Sequence, residues 1–91
     1  MTEYRIQLMP QAANDLRRLD KPIAQRIINK LRRQSQNFND LTLETLTGEL
    51  RGFYKLRVGS YRVIYTVNQE KHLLMVHLIG HRRDIYKRYG Q

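Results

Sequence analysis

Residues 53–67 read FYKLRVGSYRVIYTV. Tyr54, Leu56 and Val58 alternate with Lys55 and Arg57, the period of two that marks a strand with one buried face. Gly59 and Ser60 supply a two-residue turn, the commonest way to join antiparallel neighbours. The alternation then resumes, with Tyr61, Val63, Tyr65 and Val67 on one face and Arg62, Ile64 and Thr66 on the other. The stretch is therefore predicted to be a β-hairpin whose apolar face needs a cover.

HLLMVHLI at 72–79 is apolar on both faces, the pattern of a central strand. Gly80 ends it, and residues 81–89 are read as a short terminal helix or an extended tail. Upstream, YRIQLM at 4–9 places Tyr4, Ile6 and Leu8 on one face and reads as a first strand. Pro10 suits a first helical turn, where its missing N–H costs nothing. Ala12, Ala13, Leu16 and Leu19 recur at helical spacing, giving a helix over 10–19. Asp20 is placed to cap a second helix, with Pro22 in its first turn. Ile23, Ile27, Leu31 and Phe38 form its apolar stripe, with Ile28 beside it, over about 22–36. Residues 37–52 mix turn formers with scattered leucines and read as a connecting loop, with or without one helical turn, that Leu46 and Leu50 close against the core. The order βααβββ, helices early and strands late, implies an α+β domain spanning 1–91: a small antiparallel β-sheet with an N-terminal helical hairpin on one face.

Composition narrows the function. Ninety-one residues without cysteine exclude a disulfide scaffold and a thiolate metal site. A chain this short buries only about 60–65% of its unfolded surface. MTEYRIQLMP has no apolar core of a signal peptide, and no apolar run approaches the roughly 20 residues of a membrane span; a cytoplasmic protein with no membrane partner is expected. Seventeen Lys and Arg against eight Asp and Glu give a net charge of +9. The excess is concentrated: residues 1–50 carry eight basic and six acidic side chains, residues 51–91 nine and two. A field of that sign attracts polyanions, nucleic acid first, although a plain basic domain has the same arithmetic.

The helical hairpin covers one face of the sheet, so Lys55 and Arg57 are predicted on the uncovered one, with Arg62 near them across the turn. Three gathered cations repel unless an anion is shared; the alternative is an ordinary solvated face. GHRRDIY at 80–86 leaves the central strand beside them. Arg82 and Arg83 can hold phosphate in a bidentate fork, and His81 and Tyr86 can move protons. Such a set can cleave RNA without a metal or other cofactor. The ribose 2′-hydroxyl is the nucleophile, the cations stabilise the charge that develops on phosphorus, and a tyrosine acidified by neighbouring cations takes the proton. His72, His77 and His81 lack the spacing of zinc ligands. His77 reads as structural and His72 as a turn residue. Tyr4, Tyr54, Tyr61 and Tyr65 fall on strand faces, which leaves Tyr86 and Tyr89 free to act.

LRGFYKLRVGSYRVIYTV followed by HLIGHRRDIY, with RRLDKPI in the helical hairpin, resembles the RelE/ParE superfamily of type II toxins, and within it the RelE side. The resemblance spans nearly the whole chain. It implies a ribosome-dependent endoribonuclease that cuts messenger RNA in the A site and leaves a 2′,3′-cyclic or 3′-phosphate. It also implies a cognate acidic antitoxin that wraps the toxin, and operator DNA bound through that complex. By position, Lys55 and Arg57 match basic residues of the family's active strand, and Arg62 a phosphate-contacting arginine. Arg82 matches the arginine tied to transition-state stabilisation, and Tyr86 the proposed general base.

Two departures bear on the mechanism. Arg57 stands where lysine is frequent, and a guanidinium stays protonated, so it stabilises charge but does not donate a proton. His81 occupies a position that is basic in some relatives and is the candidate acid. RNA contacts are expected from Lys55, Arg57, Arg62, Arg83, Lys87 and Arg88, and Asp84 is expected to make a local ion pair or cap. A ParE-like gyrase poison and a non-catalytic RNA-binding module are the alternatives.

Overall fold

A computed structural model describes residues 3–36, 44–46 and 51–89, and every side chain in those ranges except those of Tyr86, Arg88 and Tyr89. The predicted hairpin is β3 (Tyr54–Val58) and β4 (Tyr61–Asn68), paired antiparallel with Tyr54 opposite Tyr65 and Val58 opposite Tyr61. Gly59 takes φ +60°, a left-handed conformation that side chains avoid and glycine does not. β4 then pairs antiparallel with β5 (Leu73–His81).

Strand β1 (Arg5–Leu8) adds to the other edge of β5 in parallel, from Arg5 opposite Leu73 to Leu8 opposite Val76. Two helices follow, α1 (Pro10–Arg17) and α2 (Lys21–Gln36). Pro10 opens α1, and the Asp20 carbonyl accepts from the Ala24 N–H at 2.9 Å in the first turn of α2. The helical hairpin carries the chain over the sheet to the far edge, where β2 (Glu44–Thr45) pairs antiparallel with β3. The sheet order is thus β1-β5-β4-β3-β2, four strands antiparallel and β1 parallel. The connection predicted as loop therefore contains a short strand; Phe38 and Leu50 lie outside the described residues.

The main core lies between the helices and one face of the sheet. Ala12, Ile27, Val63, Leu74 and Val76 are fully buried there. Tyr65 belongs to the same core; burial pushes its hydroxyl pKa up to about 12, and the Gln34 side-chain amide donates to it. Leu8, predicted to share the inner face with Tyr4 and Ile6, is exposed instead, because it ends the edge strand just before α1 turns over the sheet. Beyond the end of β1, the Asp15 carboxylate accepts from the Ile79 N–H at 3.0 Å, so α1 satisfies the edge of β5 that no strand covers.

The other face of the sheet is not open, contrary to expectation. Leu46, Ile64 and Ile85 form a second buried cluster there, with Phe53 and Leu78 against it. Ile85 belongs to α3 (Arg82–Tyr89), so the tail is a helix. Ile85, its buried apolar residue among the described ones, lies on the face opposite α1 and α2. Among the described residues no helix is long and apolar enough to cross a membrane.

Candidate active site

The register of β3 and β4 places Arg57 directly opposite Arg62 and Lys55 opposite Ile64. Lys55, Arg57 and Arg62 therefore share the second face, as the alternation predicts. Their environments differ sharply. Arg62 is only 6% exposed. Its Nη1 donates to the Gly59 carbonyl at 3.0 Å and the Tyr61 carbonyl at 2.8 Å, which folds the side chain back over its own hairpin turn. Its Nε is buried, without a hydrogen-bond partner among the described residues. A buried donor left unsatisfied costs about 1–3 kcal/mol, and more when charged.

Arg57 is exposed, with Nε 3.3 Å from Glu44 Oε2. An ion pair this exposed contributes about 0–1 kcal/mol, so it orients Arg57 more than it stabilises the fold. Lys30 of α2 donates to the Arg57 carbonyl at 2.7 Å and fixes the strand beneath it. Glu44 sits opposite Lys55 in the β2–β3 register, which brings a carboxylate against the cationic wall. Nothing in the sequence marked it, because Glu44 falls in a stretch without periodicity and only strand pairing gives it a position.

Helix α3 brings the tail to the same face. Gly80 is the cross-strand partner of Arg62, and Ile85 of α3 lies over it, within ordinary van der Waals contact of where a Cβ would stand. The Arg82 N–H donates to the Ser60 carbonyl at 2.8 Å, tying the first residue of α3 to the hairpin turn that Arg62 also grips. The side chains of Arg82, Arg83, Asp84 and Lys87 are exposed. Those of Tyr86, Tyr89 and Arg88 lie outside the described ones.

His81 is not brought to this wall. It pairs with Tyr61 on the helix-covered face, ring centroids 5.4 Å apart, one residue out of phase with Gly80. His72 closes the β4–β5 turn at φ 51° and stacks on Tyr4 at 5.1 Å. His77 is the extra residue of a bulge where Ile64 pairs with Leu78 but Tyr65 with Val76. Its Nε2 lies 2.8 Å from Thr66 Oγ1, and its ring meets Phe53 edge-on at 5.0 Å.

Burial lowers the His77 pKa below the ordinary imidazole value, so the native state favours the neutral ring. Below about pH 6.5 the unfolded chain then binds the proton better. Stability is complete above that pH and falls as the pH drops toward the lowered native value. The urea midpoint should fall between about pH 7 and 5, and His77→Gln, which keeps a partner for Thr66, should flatten that fall. An equal fall in both proteins would assign the effect elsewhere.

The comparisons with known proteins agree with this geometry. Residues 6–86 match the family model for the ParE toxin of the type II toxin–antitoxin system parDE. The chain belongs to the RelE/ParE superfamily of type II toxins. Toxin RelG of Mycobacterium tuberculosis is 29% identical over 91 residues, covering 93% of this toxin and 98% of that protein. The RelBE2 toxin–antitoxin complex from the same organism contains a chain that superposes with a TM-score of 0.80 at 24% identity, over 90% of this toxin and 94% of that chain. The archaeal RelE–RelB complex of Pyrococcus horikoshii gives a TM-score of 0.68 at 28% identity, over 90% and 97%. The helical hairpin on a five-stranded, mostly antiparallel sheet is thus the RelE fold.

Proposed function

We propose that this toxin cleaves messenger RNA in the ribosomal A site and so stops translation. The observation that carries the reading is the gathering of Lys55, Arg57 and Arg62 on one face, with Arg57 directly opposite Arg62. A cationic wall of this kind holds a phosphodiester and stabilises the charge that builds on it. The 2′-oxygen attacks phosphorus and the bond to the 5′-oxygen breaks, giving a 2′,3′-cyclic phosphate and a free 5′-hydroxyl. Arg62 and Arg82 hold the non-bridging oxygens. The 2′-hydroxyl proton goes to Tyr86, or to Glu44, the carboxylate against this wall. Lys55 protonates the leaving oxygen, since the guanidinium of Arg57 does not give up its proton. Arg83, Lys87 and Arg88 contact RNA outside the cleaved bond. The resemblance to toxins solved with their antitoxins supports an acidic antitoxin for this one in the cytoplasm, drawn by its charge of +9 and binding operator DNA with it.

Purified toxin added to ribosomes programmed with a defined message should cut that message at the A-site codon and leave cyclic phosphate ends. An intact message together with gyrase-dependent DNA breakage would establish the ParE-like reading instead. Cutting of free RNA without ribosomes would remove the ribosome from the mechanism.

A further inference from the structure

We infer that His81 acts by positioning α3, as its N-terminal cap, and not by transferring a proton to RNA. The inference rests on the cleavage reading above and assigns this residue's part in it. Three bonds or contacts fix the start of α3: the Arg82 N–H to the Ser60 carbonyl, Ile85 over Gly80, and the Arg83 N–H donating to His81 Nδ1 at 3.2 Å. The last is a side-chain cap. The opening N–H groups of a helix have no partner within it, and a side-chain acceptor just before the first turn supplies one. Asp, Asn, Ser and Thr are the usual acceptors, which is why the histidine is not legible as a cap from sequence. Its Nδ1 stands on the same atom of the side chain as the Oδ1 of asparagine and reaches the same N–H. To accept, Nδ1 must carry a lone pair, so the proton of the neutral ring is on Nε2.

The sheet puts the imidazole on the wrong face for a general acid. Its cross-strand partner is Tyr61, in the helix-side core, whereas Arg62 is partnered by Gly80. His81 lines a groove of about 450 Å³ between α1 and α3, together with Asp15, Arg18, Tyr61, Asp84 and Lys87. By the alternation of β5 the imidazole leaves the strand on the face opposite the one Arg62 takes, although the groove also reaches Gly80 and Ile85. What His81 does reach is the helix that carries Arg82, Arg83 and Tyr86. Loss of the cap frees the first turn of α3, and with it the alignment of Arg82 over the phosphate.

The test compares His81→Ala with His81→Asn, reading both message cleavage on programmed ribosomes and amide exchange of α3 by NMR. Asparagine keeps the acceptor and removes the titratable ring. Alanine should lower α3 protection about tenfold, the usual effect of losing a good cap, and cleavage by a similar factor. Asparagine should restore both to within about threefold of the parent, with an unchanged pH–rate profile. Two results would overturn the inference. One is an asparagine variant with protected α3 amides that cleaves as poorly as the alanine variant and loses the acid limb of its profile, which would make His81 the proton donor. The other is an alanine variant with undiminished α3 protection, which would mean there is no cap. If the parent protein cuts no message at all, the cleavage reading fails by itself, and the exchange measurement still decides whether His81 caps α3.

Discussion

Arg82→Ala is expected to reduce message cleavage by about 10²–10³-fold, the usual loss when one preorganised donor to a developing oxyanion is removed. The fold should hardly notice. The Arg82 side chain is exposed, and its structural tie, to the Ser60 carbonyl, is made by the main chain and survives the substitution. The thermal midpoint should therefore move by no more than about 2–4 °C, as for an exposed side chain in a domain of this size. Arg82→Lys should fall between, since an ammonium restores the charge but not the bidentate fork. Arg62 is the weaker choice for this experiment. Its guanidinium holds two carbonyls of its own hairpin turn and the residue is buried, so Arg62→Ala would confound lost chemistry with lost structure. Cleavage by Arg82→Ala within about threefold of the parent would remove this residue from the proposed transition state.

The two arginines also show where the sequence was informative. Period-two alternation set Lys55, Arg57 and Arg62 on one face, and a two-residue turn fixes register, so Arg57 meets Arg62 as the pattern requires. Alternation cannot say what covers that face. The second apolar cluster joins Leu46, Ile64 and Ile85 from three separated segments, and no local period links them. The same limit hid Glu44. The parallel pairing of β1 with β5 was equally out of reach, because a lone alternating strand carries no mark of its direction. His81 was misplaced for a sharper reason. It adjoins Gly80 in sequence, and in a strand adjacent residues point to opposite faces, so grouping the tail residues as one set ignored the pleat. The roles of these side chains in catalysis rest on the proposed reaction; their positions follow from the sheet.

Ile85→Ala is the test of whether the site is assembled through α3. Ile85 is 2% exposed and packs with Leu46 and Ile64. Removing a buried isoleucine to alanine costs about 2–5 kcal/mol where the surroundings cannot collapse. The other described side chains of α3, Arg82, Arg83, Asp84 and Lys87, are exposed, so among the described residues Ile85 supplies the helix's apolar docking. A penalty of that size exceeds what an eight-residue terminal helix can hold in place, and the helix should undock before the sheet unfolds. The expected result is loss of α3 amide protection with β3, β4 and β5 still protected, and cleavage reduced by more than about tenfold. Undocking also removes whatever Arg82 contributes, so the two substitutions should not multiply. The double variant Arg82→Ala, Ile85→Ala should cleave about as poorly as the worse single variant, the signature of residues that act through one element. Multiplying effects, with α3 still protected in Ile85→Ala, would show that Arg82 reaches the cationic wall without the support of this helix.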